Sequence, residues 1–123
     1  MSTPTMKKTY RNCGYLATDV TGAFEGRLQA VGVNVSLEFE PMEDRETQDH
    51  PTHTAYIVDG NGQRMEAGAA WEGSKDKGDR TQRYLSIKFD LEGLPEWAYG
   101  SLAAFEQRDG GNWRLTREAM VPA

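Results

Sequence analysis

The sequence predicts an all-β domain, a small antiparallel β-barrel or sandwich of seven to eight short strands. Apolar residues alternate with polar ones at a period of two, turn-forming residues separate these segments, and no window of a dozen residues shows helical periodicity. With 123 residues, the chain has the length of one domain. We place the β domain at residues 13–117, after a flexible N-terminal segment at 1–12 and before a C-terminal tail at 118–123.

The strands follow from the alternation of apolar and polar side chains. In chain order, the predicted strands are Cys13–Ala17, Ala23–Ala30, Val33–Glu40, Thr54–Val58, Met65–Glu72, Leu85–Asp90, Trp97–Phe105 and Trp113–Arg117. The pattern is strongest in the third, fifth and sixth of these. In the fifth strand Met65, Ala67, Ala69 and Trp71 share one side, so we expect Trp71 to lie in the core.

Glycine with Asp, Asn or Thr marks the tight turns between strands. Such residues tolerate the backbone of a hairpin, and they occur at Thr21-Gly22, at residues 59–62 and at residues 109–112. Two segments, 41–51 and 72–82, are predicted to be longer loops. Closing the sheet would remove exposed strand edges, which favours the barrel over the sandwich.

The charges are separated into two poles, although the formal net charge is only −5. Between residues 38 and 49 there are one base, Arg45, and six acids: Glu38, Glu40, Glu43, Asp44, Glu46 and Asp49. Residues 75–88 contain two acids and five bases: Lys75, Lys77, Arg80, Arg83 and Lys88. Such segregation shapes the surface potential more than the net charge does.

The acidic segment suggests a protein partner. A run of carboxylates imitates a phosphate backbone, so it can occupy the nucleic-acid groove of another protein, as an inhibitor of a host defence system of the anti-CRISPR type would. The alternative is an ordinary solvated loop.

The basic hairpin, residues 71–88, suggests single-stranded nucleic acid as a ligand. Tyr84 shares a strand face with Ser86 and Lys88 if Leu85 and its alternating neighbours point inward. Bases stack on aromatic rings while Lys and Arg follow the phosphates, and we expect Lys75, Lys77, Arg80, Arg83 and Lys88 to act with Tyr84 in this way. The alternative here is a solvated hairpin tip.

No residue pattern indicates catalysis, a cofactor or a metal site. His50 and His53 lie beside Asp49 in a Pro-containing loop, and two imidazoles with one carboxylate could bind a divalent metal, but no fourth ligand is spaced nearby. Cys13, the only cysteine, is expected to be a buried thiol. We therefore expect a non-enzymatic protein without a cofactor. The absence of a signal peptide and of a long apolar run predicts a cytoplasmic protein without membrane contact.

The segment Leu94, Pro95 and Trp97 has two interpretations. It is either an exposed apolar patch that mediates homo-oligomerisation or a loop that lines the core.

Several motifs resemble the domain of unknown function 736 family. They are Gly14-Tyr15, Phe24-Glu25-Gly26, Asn34-Val35, Gly68-Ala69-Ala70-Trp71, Ser74-Lys75 with Gly78, Tyr84–Asp90 and Tyr99-Gly100-Ser101-Leu102. The resemblance implies a small bacterial protein of plasmids and integrative conjugative elements, without an assigned activity or catalytic residues. The acidic loop at residues 43–53 and the extra hairpin residues at 79–82 depart from the family pattern, and loops of this kind commonly carry function.

Two functions therefore compete for a non-catalytic protein of a mobile genetic element. One is binding to a protein partner through the acidic segment, and the other is single-stranded nucleic-acid binding in conjugation through the basic hairpin. Proteins that bind nucleic acid without sequence preference are usually basic overall, so the net acidity favours the protein partner.

Overall fold

The computed structural model describes residues 4–30, 32–43, 47, 49–107 and 112–122. These residues form nine strands: β1 (Thr5–Tyr10), β2 (Gly14–Thr18), β3 (Phe24–Ala30), β4 (Val33–Pro41), β5 (His53–Val58), β6 (Arg64–Asp76), β7 (Thr81–Phe89), β8 (Ser101–Glu106) and β9 (Trp113–Pro122). A short 3-10 helix, Glu96–Tyr99, precedes β8.

Strands β2 to β9 form a closed antiparallel barrel. Each pairs with the next in chain order, and β9 pairs with β2 as well as with β8, which closes the sheet. The remaining strand, β1, lies outside this ring and pairs with the C-terminal half of β9. The all-β prediction is confirmed, and closure makes the architecture a barrel of eight strands with one additional strand.

The barrel interior is filled by alternate side chains of all eight strands, as expected for a barrel of this strand number. Phe24 lies at the start of β3, where its ring contacts Trp113 at a centroid distance of 4.8 Å, His53 at 5.1 Å and Phe39 at 6.5 Å. These four residues are almost completely buried. The aromatic residues therefore supply much of the apolar area that the low aliphatic content does not.

Two of the hairpin turns form as predicted, and each is capped by an aspartate. Asp19 accepts hydrogen bonds from Thr21 N at 2.8 Å and Ala23 N at 3.2 Å, and Asp59 accepts from Asn61 N and Gln63 N at 2.9 Å. The Thr21 hydroxyl also donates to Asp19. This bond, followed by the backbone bonds from Thr21 and Ala23, holds the pKa of the Asp19 carboxyl below its usual range. The third predicted turn, at residues 109–112, falls largely outside the described residues.

A β-bulge in β6 changes which side chains face the core. Ala55 pairs with Gly68 and Tyr56 with Glu66, so Ala67 is an extra residue in the ladder. The alternation shifts by one at this point, and Ala70 rather than Ala69 is buried. Trp71, expected in the core, consequently lies half-buried on the outer face, opposite Ser86.

Four further segments differ from the predicted pattern. Residues 97–99, predicted to begin a strand, belong to the 3-10 helix, and β8 begins only at Ser101. The segment 72–82, predicted to be a loop, is mostly strand, since β6 extends to Asp76 and β7 begins at Thr81. Thr5–Tyr10 and the last residues of β9, which the alternation did not mark as strand, pair with each other. Leu94 and Trp97 are half-buried against the core, and whether the chain self-associates stays a prediction.

Gly68 makes the bulge feasible, because its φ is 151° and a Cβ there would lie 2.0 Å from the Lys88 carbonyl oxygen. We expect Gly68→Ala to lower the free energy of unfolding by about 2 kcal/mol or more, measured by urea denaturation. Gly60→Ala is the matched control, since Gly60 has open space around it, and its effect should stay within about 0.5 kcal/mol. Equal effects of the two substitutions would contradict this role of Gly68.

Candidate functional site

Five outward-facing side chains on neighbouring strands form a continuous row around the barrel, which we call the outer row: Tyr84 (β7), Phe105 (β8), Arg114 (β9), Tyr15 (β2) and Arg27 (β3). Each is directly paired with the next in the strand register. Directly paired residues of an antiparallel sheet place their side chains on the same face, with Cβ atoms roughly 4.5–5.5 Å apart. The outer row therefore places three rings and two guanidinium groups along one path.

The Tyr84 ring lies across the neighbouring strand β6. A Cβ at Gly73 would come within 2.5 Å of the Tyr84 hydroxyl oxygen, so the glycine leaves the space that the ring occupies. On one side Lys75 Nζ lies 5.3 Å from the ring centroid, and on the other the Phe105 ring lies at 6.5 Å, tilted by 42°. Tyr84 thus links β6 to the outer row.

A groove of about 450 Å³ runs along this face of β6–β9. The side chains that give it its character are two groups, aromatic and cationic: Trp71, Tyr84, Tyr99 and Phe105, and Lys75 and Lys88. The Trp71 Nε1–H donates to the Asp49 carbonyl at 3.0 Å, which fixes the indole at the groove edge. The lining of the groove therefore combines aromatic rings with ammonium groups.

The groove and the outer row carry net positive charge. Within the described residues, Lys75, Lys88 and Arg114 have no carboxylate at ion-pair distance. Glu118, the acid that lines the groove, is paired with Lys7 at 3.1 Å. A chain with a formal net charge of −5 thus presents a local cationic face.

The predicted basic residues do not all share one face. Lys75 and Lys88 lie with Tyr84 in the groove, and Lys77 and Arg80 lie at or beside the hairpin tip, where Lys77 N donates to Arg80 O at 2.7 Å. Arg83 points to the opposite face of β7.

Arg83 belongs to a cluster at one end of the barrel interior. Its guanidinium pairs with Glu72 and, at 3.7 Å, with Glu106, and it lies 5.4 Å from the Trp113 ring. Its charge is therefore balanced by two acids, away from the groove.

The predicted acidic residues are partly neutralised. Arg64 pairs with Glu40 at 2.7 Å and with Glu38 at 3.4 Å, and its guanidinium stacks 3.5 Å from the Tyr56 ring. Glu43 and Asp49 are exposed, whereas Asp44 and Glu46 lie outside the described residues.

His53 and Cys13 are buried components of the core. His53 donates from Nε2 to the Gly22 carbonyl at 2.8 Å, and its Nδ1 lies 2.8 Å from the Thr52 hydroxyl oxygen, so both ring nitrogens are engaged. In the part of the chain that the structure describes, no cluster of three or more His, Cys, Asp or Glu side chains could hold a metal ion. The same residues include no helix long and apolar enough to span a membrane.

Four residues of the outer row were not predicted from the sequence: Tyr15, Arg27, Phe105 and Arg114. Each lies next to a buried residue of its strand, as Arg114 does between Trp113 and Leu115. The alternation of buried and exposed residues therefore predicts that these side chains point outward. That these residues are paired across strands depends on the register, which strand patterns alone do not give.

The fold and the site define a closed eight-stranded antiparallel β-barrel protein with an aromatic and cationic outer face. Residues 12–118 match the model of a family described as Protein of unknown function (DUF736), and the chain belongs to this family. The resemblance drawn from the sequence motifs is thereby confirmed. No curated protein and no solved structure matches the chain.

Proposed function

We propose that this protein binds single-stranded nucleic acid along the outer row and the adjoining groove. The observation that supports this most is the cross-strand pairing of Tyr84, Phe105, Arg114, Tyr15 and Arg27 into one path of aromatic and cationic groups.

Stacking supplies the first part of the affinity. A base has an apolar face that packs on an aromatic ring, and such contacts contribute about 1–3 kcal/mol per base without selecting a sequence. Tyr15 is 40% exposed, and Tyr84 and Phe105 are half-buried, so their rings are held in place while a face stays accessible. Their fixed positions reduce the entropy lost on binding.

Phosphate contacts supply the second part. Arg114 lies in the outer row between Phe105 and Tyr15, Lys75 lies beside the Tyr84 ring, and Lys88 lines the groove four residues further along β7. Neutralising phosphates releases condensed counterions, which makes the affinity fall steeply with salt. The acidic groups elsewhere on the chain would confine the nucleic acid to this face.

In this proposal the protein is a non-catalytic cytoplasmic accessory protein of a mobile genetic element. Transfer of such an element by conjugation exposes single-stranded DNA, which would be the ligand.

We expect the protein to bind a labelled single-stranded oligonucleotide of about 15 nucleotides at low salt, measured by fluorescence anisotropy. Tyr84→Ser should weaken binding between about fivefold and 150-fold, because it removes one stacking platform. Arg114→Gln should reduce the slope of log affinity against log salt by about 0.7, the share of one phosphate contact.

Two matched controls test the location of the site. Tyr56→Ser removes an outer-face ring on the far strand β5, and Arg83→Gln removes a cation next to Tyr84 in sequence but on the opposite face. Neither should change the affinity of the folded protein. No binding at low salt, or equal losses in the controls and in Tyr84→Ser, would refute the proposal.

A second candidate function is binding of a protein partner, such as a host nucleic-acid-targeting defence protein, through the acidic segment that contains Glu38, Glu40, Glu43, Asp44, Glu46 and Asp49. One observation favours it: the end of this segment is fastened to β6, since Thr52 N donates to the Ala70 carbonyl at 2.9 Å and Trp71 donates to Asp49. The exposed Glu43 and Asp49 thus belong to a segment whose end is attached to β6 by hydrogen bonds.

For this candidate, replacing Glu43, Asp44 and Glu46 together by Lys should abolish a complex captured from nuclease-treated host lysate, because charge complementarity is reversed. Replacing the exposed Glu92 and Glu96 by Lys is the control, and it should leave the complex intact. An unchanged complex in the triple variant would exclude this role of the acidic segment.

A further inference from the structure

A second cavity, of about 340 Å³, lies apart from the groove, where the chain passes from β1 to β2. Tyr10, Arg11 and Cys13 come from that passage, while Trp97 comes from the 3-10 helix and Arg117 from β9. Its volume is within the range of about 300–1,000 Å³ that is usual for small-molecule sites.

The Arg117 guanidinium is held between two aromatic rings of this cavity. Its Cζ lies 4.3 Å from the centroid of Tyr10 and 5.3 Å from that of Trp97. In the strand register Arg117 is paired with Tyr10 on one side and with the buried Leu102 on the other, so it projects to the inner side of the sheet. The strand register therefore sets the direction of the side chain, and both rings lie within cation–π distance of its guanidinium.

This arrangement leaves the donors of Arg117 available. Stacking uses the faces of the guanidinium, whereas its N–H groups lie in the plane and form a fork that matches a carboxylate or phosphate. Within the described residues, the Arg117 side chain has no hydrogen-bond acceptor and no ion-pair partner. A half-buried cation without a counter-ion favours binding of an anion.

The other residues around the cavity also contribute positive charge. None of its lining residues is acidic, Arg11 adds a second guanidinium, and Lys8 Nζ lies 4.8 Å from the Tyr10 ring. Burial raises the pKa of the Cys13 thiol, and the charge of Arg117, which lines the same cavity, partly opposes that rise. Cys13 is thus a neutral thiol at the cavity wall.

We infer that this cavity binds a small anionic ligand, whose phosphate or carboxylate group is held by Arg117 while its planar body packs against Tyr10 and Trp97. The inference does not rest on the proposed nucleic-acid function, because the two sites use different faces of β9.

The test is a titration of the ¹⁵N-labelled protein with adenosine monophosphate, benzoate, inorganic phosphate or adenosine, followed by NMR. Adenosine monophosphate represents ligands that join a planar body to a phosphate, and benzoate represents those that join a planar body to a carboxylate. Their relative affinities therefore identify the preferred anionic group. We expect saturable shifts at the Trp97 indole N–H and the Ala30 amide with at least one of these two probes. Inorganic phosphate and adenosine, which each lack one of the two parts, should bind at least tenfold more weakly than the preferred probe.

Arg117→Met keeps the stem of the side chain and removes the guanidinium, and it should weaken the preferred probe at least tenfold, since bonds to a charged group contribute about 1.5–3 kcal/mol. Arg117→Lys keeps the charge without the fork, and it should fall between Arg117→Met and the unaltered protein. Should Arg117→Met not fold, the loss in Arg117→Lys decides in its place.

Arg114→Met, three residues away but in the outer row, is the matched control, and it should leave the shifts at Trp97 unchanged. Conversely, Arg117→Met should leave oligonucleotide binding unchanged, so that the two sites are tested separately. Absence of saturable shifts at Trp97 with both anionic probes, or identical affinities in the Arg117 variants and the unaltered protein, would overturn the inference.

Discussion

The pairing of β9 with β2 is the constraint on which the rest of the structure depends. It comprises two paired positions, Tyr15 with Arg114 and Leu16 with Trp113, and it closes the sheet into a barrel. Closure satisfies the strand edges that would otherwise be exposed. It also determines which residues become neighbours on the outside, because Tyr15 joins the row of Phe105 and Arg114 only across this seam.

Much of the fold follows from the sequence because the alternation of a half-buried strand is a local property. The inward set Leu85, Ile87 and Phe89 and the turns capped by Asp19 and Asp59 needed no knowledge of the partner strands. The bulge at Ala67 did not follow, because an extra residue in a ladder is defined by the opposing strand. One shifted residue moved Trp71 from the expected core to the outer face.

The candidate site was predictable only in part for the same reason. Tyr84 and Lys88 share a face, as the alternation indicated, and Lys75 joins them from β6, but Arg83 is directed away from them to Glu72 and Glu106. Grouping charges by proximity in sequence therefore combined two faces of one hairpin. The partners of Tyr84 in the outer row come from β8, β9 and β2, at sequence separations that no local pattern connects.

The most direct test of the outer row is to map a bound single-stranded oligonucleotide by the amide chemical-shift changes of the labelled protein at low salt. We expect the changes to concentrate on β7, β8, β9 and β2, around Tyr84, Phe105, Arg114 and Tyr15, and to leave β4 and β5 unaffected. Changes confined to β4 and β5, or spread evenly over the barrel, would contradict the assignment of this face as the binding surface.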